Sequence, residues 1–296
     1  MDFSKLKGQI YLDKKFLNCD KAKIHVLNHS LHFASSVFEG IRVYDKKILF
    51  LEDHLKRLIN SSTIMKLNLN YSLKRLSDLN HLIIKKNRIK DGYIRPLVFR
   101  SSHSMSPETE NCYTQLAIAA WKWKVLFGNE SGIKINLSRY PKLNSKIYPI
   151  EAKSSGSYQT SVISKIESQK KNYDDCLMLD LNGNIAETTA CNIFWIKDNI
   201  VYTSKKHSIL DGITRQAILE FCKIKKIKVR IGDYKLKHIL KSECVFVTGT
   251  AAEIQFVKRI EKNKFKKNSI FNELKSCYQI IKDNPPEKIS DIKKLF

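Results

Sequence analysis

Runs of apolar residues separated by polar turns divide the chain into many short segments, and their period distinguishes strands from helices. In the first third, residues 7–12, 37–44 and 47–51 carry the β-branched and aromatic content of strands, with the polar turn Asp45-Lys46 before the last. Leu55, Leu58 and Ile59 recur at helical spacing, which predicts a helix over 55–65, and 73–86 reads as a second. Residues 93–100 and 115–123 are apolar strands. Between them, 101–111 is polar, contains Pro107 and reads as a loop. A second break covers 124–131.

The second half has sharper punctuation. Residues 134–137 form a strand and 157–170 a helix. Residues 175–181 lead into Asn182-Gly183, a pair suited to a two-residue hairpin turn with positive φ. Residues 192–197, Asp198-Asn199 and 200–203 repeat that pattern. A helix follows over 214–226. The apolar strand 243–247 then runs into Thr248-Gly249-Thr250-Ala251-Ala252. The last twenty residues, with Pro285-Pro286 and Lys293-Lys294, read as a loosely held tail. No repeat of 20–50 residues is visible.

Length and composition narrow the class. The 296 residues make one large domain or two moderate ones. With 43% apolar and 28% charged residues, the chain can offset the entropy of ordering, which excludes general disorder. Ten Gly and six Pro exclude collagen-like sequence. The net charge of +24 would attract nucleic acid or anionic lipid. The lysines are nevertheless scattered, in groups such as Lys21/Lys23, Lys85/Lys86, Lys170/Lys171 and Lys223/Lys225/Lys226. They read as a solvated surface, and nucleic-acid binding stays a remote alternative. Seven cysteines at irregular spacings, without C-x-x-C, point to a reducing compartment. No secretory h-region and no run of 18 apolar residues is visible, so the expectation is a cytoplasmic protein without a membrane span.

Several residues could carry chemistry. His25, His29 and His32 would share a face if helical, a weak metal pattern beside the alternative of hydrogen-bonding histidines. Gly212-Ile213-Thr214-Arg215 opens a helix, whose free N–H groups suit a phosphate. Gly249-Thr250 after a buried strand offers a second such feature. Glu187, entering an apolar strand, is either an exposed loop carboxylate or an anion held opposite a buried cation. Lys153 has small neighbours, as a Schiff-base lysine requires. Spacing alone cannot separate it from a surface lysine.

Three linked segments carry a family resemblance: Glu187-x-Thr189-x-x-Asn192-Ile193-Phe194, Val201-x-Thr203 and Leu210-Asp211-Gly212-Ile213-Thr214-Arg215. Their order and spacing resemble the signature of class IV, or fold-type IV, pyridoxal-phosphate aminotransferases. Ser36-Val37-Phe38-Glu39-Gly40-Ile41-Arg42, His54-x-x-Arg57-Leu58, Tyr93-Ile94-Arg95-Pro96, Ala152-Lys153-x-x-Gly156-x-Tyr158 and Gly249-Thr250-Ala251-Ala252-Glu253 are similar to the branched-chain amino-acid aminotransferase branch. The similarity spans about residues 8–258.

The resemblance implies an α+β protein with a small N-terminal α+β domain (1–123), an interdomain loop (124–132) and a larger C-terminal domain with a β-barrel-like core (133–296). It also implies pyridoxal 5'-phosphate as cofactor, no resident metal, and a homodimer or higher homo-oligomer. Lys153 would carry the cofactor and move the proton, Glu187 would pair with the ring nitrogen, and Tyr158 would bond the phenolic oxygen. Arg57, Ile213, Thr214 and Thr250 would hold the phosphate, with Leu210 and Gly249 also lining the cofactor. Phe38, Tyr93 and Trp123 would wall the substrate side chain. Arg95 would take the side-chain carboxylate of glutamate, and Thr250 and Ala251 the α-carboxylate. The implied reaction is reversible amino transfer between leucine, isoleucine or valine and 2-oxoglutarate. A D-amino-acid transaminase or an aminodeoxychorismate lyase is the alternative within the family. Phe33 replaces a tyrosine of many relatives and Leu126 a tyrosine of some, both near substrate rather than cofactor positions. The interdomain loop also differs from the Gly-rich versions of other members.

Overall fold

The computed structural model describes residues 2–296, which divide into two units. The first holds the described residues through Lys124, together with Ala152–Gly156 and Pro285–Lys288. Its strands are β1 (Gln9–Leu12), β2 (Lys15–Asn18), β3 (Ser36–Phe38), β4 (Ile41–Tyr44), β5 (Lys47–Ile48), β6 (Gly92–Arg100) and β7 (Thr114–Lys122). Its helices are α1 (His29–Phe33), α2 (Leu51–Ile64) and α3 (Leu73–Lys86). The sheet order is β2-β1-β7-β6-β4-β5, with β3 also on β6, and every pairing is antiparallel. Leu55 and Leu58 of α2 and Leu76, Leu79 and Ile83 of α3 pack with Ile41, Ile94, Val98, Leu116 and Ile118 of the sheet in one core.

The expected strand 37–44 is two strands. Phe38 pairs with Leu97 and Ile41 with Ile94 in one continuous register, with Glu39-Gly40 opposite Pro96-Arg95 and Glu39 N–H donating to the Pro96 carbonyl at 2.9 Å. Pro96 has no N–H to donate back, so the ladder loses a bond there and the strand is interrupted. Gly40 is required there, because a Cβ would stand 1.7 Å from the Tyr93 hydroxyl oxygen. The strand expected over 47–51 ends at Ile48, because Phe50 turns left-handed (φ 53) and caps α2. Hairpin β1–β2 turns on Asp13 and Lys14, both at positive φ without a glycine.

The second unit holds Val125–Glu151, Ser157–Asn284 and Ile289–Phe296. Its strands are β8 (Ile133–Leu137), β9 (Asp175–Leu179), β10 (Ile185–Thr188), β11 (Asn192–Lys197), β12 (Ile200–Ser204), β13 (Val229–Gly232), β14 (Cys244–Gly249), β15 (Glu253–Ile260) and β16 (Asn263–Lys264). Its helices are α4 (Gln159–Lys170), α5 (Ile213–Ile224), α6 (Leu236–Leu240) and α7 (Ser269–Asp283). The order β10-β9-β8-β15-β14-β11, closed by β11 pairing with β10, is a six-stranded barrel; β12 and β13 extend from β11. Helical crossovers join the parallel pairs β8–β9 and β12–β13, as parallel pairing demands. Phe194, Trp195, Val245, Phe246 and Val247 lie in a buried core.

Two expectations fail here. Asn182 does not take positive φ. Gly183 alone does, at φ 72, with its N–H on the Asp180 carbonyl, so the loop is a turn closed by a left-handed glycine. The Asp198-Asn199 turn does have both residues at positive φ. The C-terminal twenty residues are packed rather than loose. Asn268 caps α7 through Phe271 N–H, α7 buries Cys277, Tyr278 and Ile281, and Ile292 is fully buried beyond it. These apolar positions recur at helical spacing and offset the ordering of the segment. Helix α4 is inverted: Ser161, Ser164 and Ser168 face inward, while Val162, Ile163 and Ile166 are exposed. Among the described residues, no helix is long and apolar enough to cross a membrane.

Candidate active site

In the first unit, Lys153 is held as an added strand residue. Phe38 N–H donates to the Lys153 carbonyl at 3.0 Å, Lys153 N–H donates to Ser61 Oγ at 3.0 Å, and Ser154 bridges Val37. Ser36 and Ser155 hydroxyls share a further bond at 2.7 Å. The amine lies 4.8 Å from the Phe38 ring centroid. Burial, with the positive charges of Arg57 and Arg95, pushes its pKa down to about 8, against the pull of Glu39.

Below that amine is an ionic cluster. Glu39 is wholly buried between β3 and β4. Its Oε1 accepts from Arg57 Nε at 2.6 Å, and its Oε2 from Arg57 Nη2 at 3.0 Å and His54 Nδ1 at 2.7 Å. Burial alone would raise the Glu39 carboxyl. The Arg57 guanidinium and His54 outweigh it and hold the carboxyl well below its ordinary range. Burial pushes the His54 imidazole down. His54 and Arg57 stand three residues apart on α2, so they reach the same carboxylate.

Arg95 lies across the Phe38 ring at 4.7 Å and near that of Tyr93 at 5.6 Å. Its Nε is buried and, among the described residues, has no hydrogen-bond partner; the same holds for Trp123 Nε1. Tyr93, Trp121 and Trp123 form a contiguous aromatic wall, with ring separations of 5.4 and 6.1 Å from Tyr93. The structure thus gathers Phe38, Arg57, Tyr93, Arg95, Trp123 and Lys153 within one unit.

In the second unit, Glu187 on β10 is the anion opposite a buried cation. Lys142 Nζ lies 3.0 Å from its Oε1, and Asn192 Nδ2 donates to its Oε2 at 2.9 Å. Asn192 Nδ2 also donates to the Leu210 carbonyl. This ties Glu187 to the turn that opens α5. Gly212 makes the tie possible, since a Cβ there would stand 2.2 Å from Asn192 Oδ1. Gly212 caps α5 without any side-chain hydrogen bond, so the N–H groups of Ile213 and Thr214 lie in an uncapped first turn. Arg215 braces the turn from behind through Asp211 Oδ1 at 2.8 Å and the Ser204 carbonyl at 3.0 Å. Gly249 ends β14, and Thr250 and Ala251 form the turn beyond it. Leu126 N–H donates to the Ala251 carbonyl at 2.8 Å. Tyr158 precedes α4, its ring 6.0 Å from Lys142 Nζ.

The three histidines do not gather. His25 precedes α1, His29 bonds Ser35 and the Ser106 carbonyl, and His32 bonds the Val26 carbonyl. Sequence reasoning assigns no role to Glu39, His54, Ser61 or Lys142. The first two had a local signal, a charged residue amid apolar ones and a helical i, i+3 pair. Lys142 had none, because its partner is 45 residues away and meets it only in the barrel.

The family profile described as "Amino-transferase class IV" matches residues 36–260. The "Probable branched-chain-amino-acid aminotransferase" of Rickettsia bellii is 37% identical over 266 residues, covering 90% of this chain and 91% of its own. The branched-chain-amino-acid aminotransferase of Pseudomonas aeruginosa is 32% identical over 271 residues, covering 89% and 88%. Among solved structures, the branched-chain aminotransferase of the archaeon Thermoproteus uzoniensis with norvaline aligns with a TM-score of 0.91 at 27% identity, covering 96% of this chain and 97% of that one. Agreement in sequence over nearly the whole chain, and in fold over both units, leaves one conclusion: the chain belongs to the class IV amino-transferase family and has the fold-type IV architecture.

Proposed function

We propose that this aminotransferase moves amino groups between L-leucine, L-isoleucine or L-valine and 2-oxoglutarate, using pyridoxal 5'-phosphate carried on Lys153. The observation that carries the substrate class is the placement of Arg95. An apolar wall of Phe38 and Tyr93 suits an aliphatic side chain, and a guanidinium laid on that wall, its Nε unpartnered, suits the carboxylate of glutamate. One surface can then take both substrates in turn.

The donor set fits the cofactor. A buried amine with pKa about 8, a buried carboxylate and an uncapped helix N-terminus match an aldehyde, a ring nitrogen and a phosphate. Bound pyridoxal phosphate supplies an electron-withdrawing ring that stabilises negative charge at the substrate α-carbon. Lys153 Nζ is near half-protonated close to pH 8, so it can both accept and return the α-proton. Glu187 would accept a hydrogen bond from the protonated ring nitrogen, and Tyr158 would donate one to the phenolic oxygen. Ile213, Thr214 and Thr250 bind phosphate, with Arg57 contributing charge, and Leu210 and Gly249 line the cofactor. The Thr250 and Ala251 N–H groups bind the α-carboxylate.

The test is the visible spectrum of the purified chain with pyridoxal phosphate, followed on adding L-leucine or, separately, D-alanine. Bleaching of the cofactor band by L-leucine alone is expected. Bleaching by D-alanine alone would move the protein to the D-amino-acid branch. No band at all would reject the cofactor. In the same assay, Arg95→Ala should slow glutamate far more than leucine, and equal losses would reject the carboxylate role. A second copy of the chain is the simplest cover for Val162, Ile163 and Ile166 on α4. Sedimentation at micromolar concentration should then give at least a dimer, and a monomer mass would reject that cover.

A further inference from the structure

Lys142 is a buried cation that no step above employs. Its backbone N–H is fixed to the Leu179 carbonyl of β9 at 2.8 Å, and its Nζ bonds Glu187 Oε1 at 3.0 Å and Ser161 Oγ at 3.1 Å. Both charged side chains are almost out of solvent. Burying such a pair costs desolvation that apolar residues of similar volume would avoid, so stability is a poor reason for it. The geometry supplies another reason. The two Glu187 oxygens are held separately, one by Lys142 and one by Asn192, which fixes the plane of the carboxylate.

We propose that Lys142 is a positioning residue that keeps Glu187 ionised and aimed before the cofactor arrives, so that a protonated ring nitrogen is received without a proton having to leave the site. This deepens the cofactor reading above and rests on it. The other titratable groups near the pair are Tyr158, Asp175, Cys176, Cys191 and Arg215. Burial of Lys142 favours its neutral form, but the Glu187 charge prevails and raises its pKa, so the ammonium is present throughout the neutral range. Without Lys142 the buried Glu187 carboxylate loses its ion-pair partner, and burial then favours the protonated form. Binding a protonated ring nitrogen must then release that proton, and affinity becomes linked to pH.

The experiment is a titration of the full chain with pyridoxal phosphate between pH 6 and 9, followed by tryptophan fluorescence. The unsubstituted chain, Lys142→Met, Lys142→Gln, Lys142→Arg, Glu187→Gln and the double variant K142M/E187Q are compared. Ionisation of Lys153 and of the phosphate is common to all, so the informative quantity is the difference in slope from the unsubstituted chain. For Lys142→Met, and for Lys142→Gln should the Met variant not fold, relative affinity should fall as pH is lowered, approaching roughly tenfold for each pH unit at the acid end of the range. Lys142→Arg should restore the original slope, and K142M/E187Q should add no slope beyond Glu187→Gln. A parallel profile for the Met and Gln variants, whatever its offset, overturns the proposal while leaving the cofactor reading intact. Failure of the unsubstituted chain to bind pyridoxal phosphate overturns that reading, and the proposal with it.

Discussion

Lys153→Ala should reduce transamination by about 10^4-fold or more, the upper range for losing a positioned acid–base group, while leaving the fold in place. The backbone bonds that hold the segment do not involve the side chain: Phe38 N–H to the Lys153 carbonyl, Lys153 N–H to Ser61 Oγ, and the Val37–Ser154 bridge. Alanine keeps all three. The amine itself is a burden on folding, because it is buried and lies near the positive charges of Arg57 and Arg95. A lysine whose folded pKa, about 8, lies below its unfolded value gives up its proton on folding. Its cost to stability is therefore full below roughly pH 8 and gone above roughly pH 10. The alanine variant should melt at the same temperature as the unsubstituted chain at high pH, and no lower near pH 7. Residual turnover within about tenfold of the original would remove Lys153 from its role, since no acid–base group contributes so little. Inactivity together with a melting point lowered at every pH would instead show a damaged fold.

Where the chain obeys local rules, the sequence is legible. Helix α3 follows its apolar spacing and Ser72 caps it, so its bounds are those read from the pattern. The Asp198-Asn199 turn announces itself by residues that tolerate positive φ. The β1–β2 turn does not, because Asp13-Lys14 lacks the usual Asn-Gly pair. The break at Glu39-Gly40 is also invisible: an apolar run with one acid in it reads as continuous strand. Only the gap opposite Pro96 and the close approach of Tyr93 to Gly40 explain it. The site divides in the same way. Ile213, Thr214 and Thr250 carry a local phosphate signature, and Glu187 a local anomaly of charge. The identity of its counter-ion, Lys142, exists only once the barrel has closed. Lys153 is the extreme case. Among so many lysines no local signal selects it, and only family resemblance did so before its burial against Phe38 supplied a physical reason.

Glu39→Ala should destabilise the protein by about 3–5 kcal/mol, the range found when one partner of a buried ion pair is removed. Glu39 is wholly enclosed and is the shared acceptor of Arg57 and His54, so its loss strands the Arg57 guanidinium, which is itself mostly buried. Glu39→Gln separates charge from packing, since the amide keeps the shape and gives up the charge. Its deficit against the unsubstituted chain should depend on pH, with a definite sign. The folded-state pKa of Glu39 lies well below that of the unfolded chain. The charge therefore contributes stability in full above the unfolded value, near pH 4.3, and loses it as pH falls towards the folded value. Urea unfolding at a series of pH values should show a gap between the two proteins that is present at neutral pH, is no smaller near pH 5 and narrows below about pH 4. His54 adds a separate acid sensitivity. Its folded pKa is depressed by burial, so it costs stability as pH falls below roughly 6.5. Both proteins retain that histidine, and Glu39 only moderates its effect, so His54 cannot close the gap at lower pH. A deficit that stays constant down to pH 3 would mean that shape, not charge, holds the Glu39-Gly40 segment. Arg57 would then need another reason to point where it does.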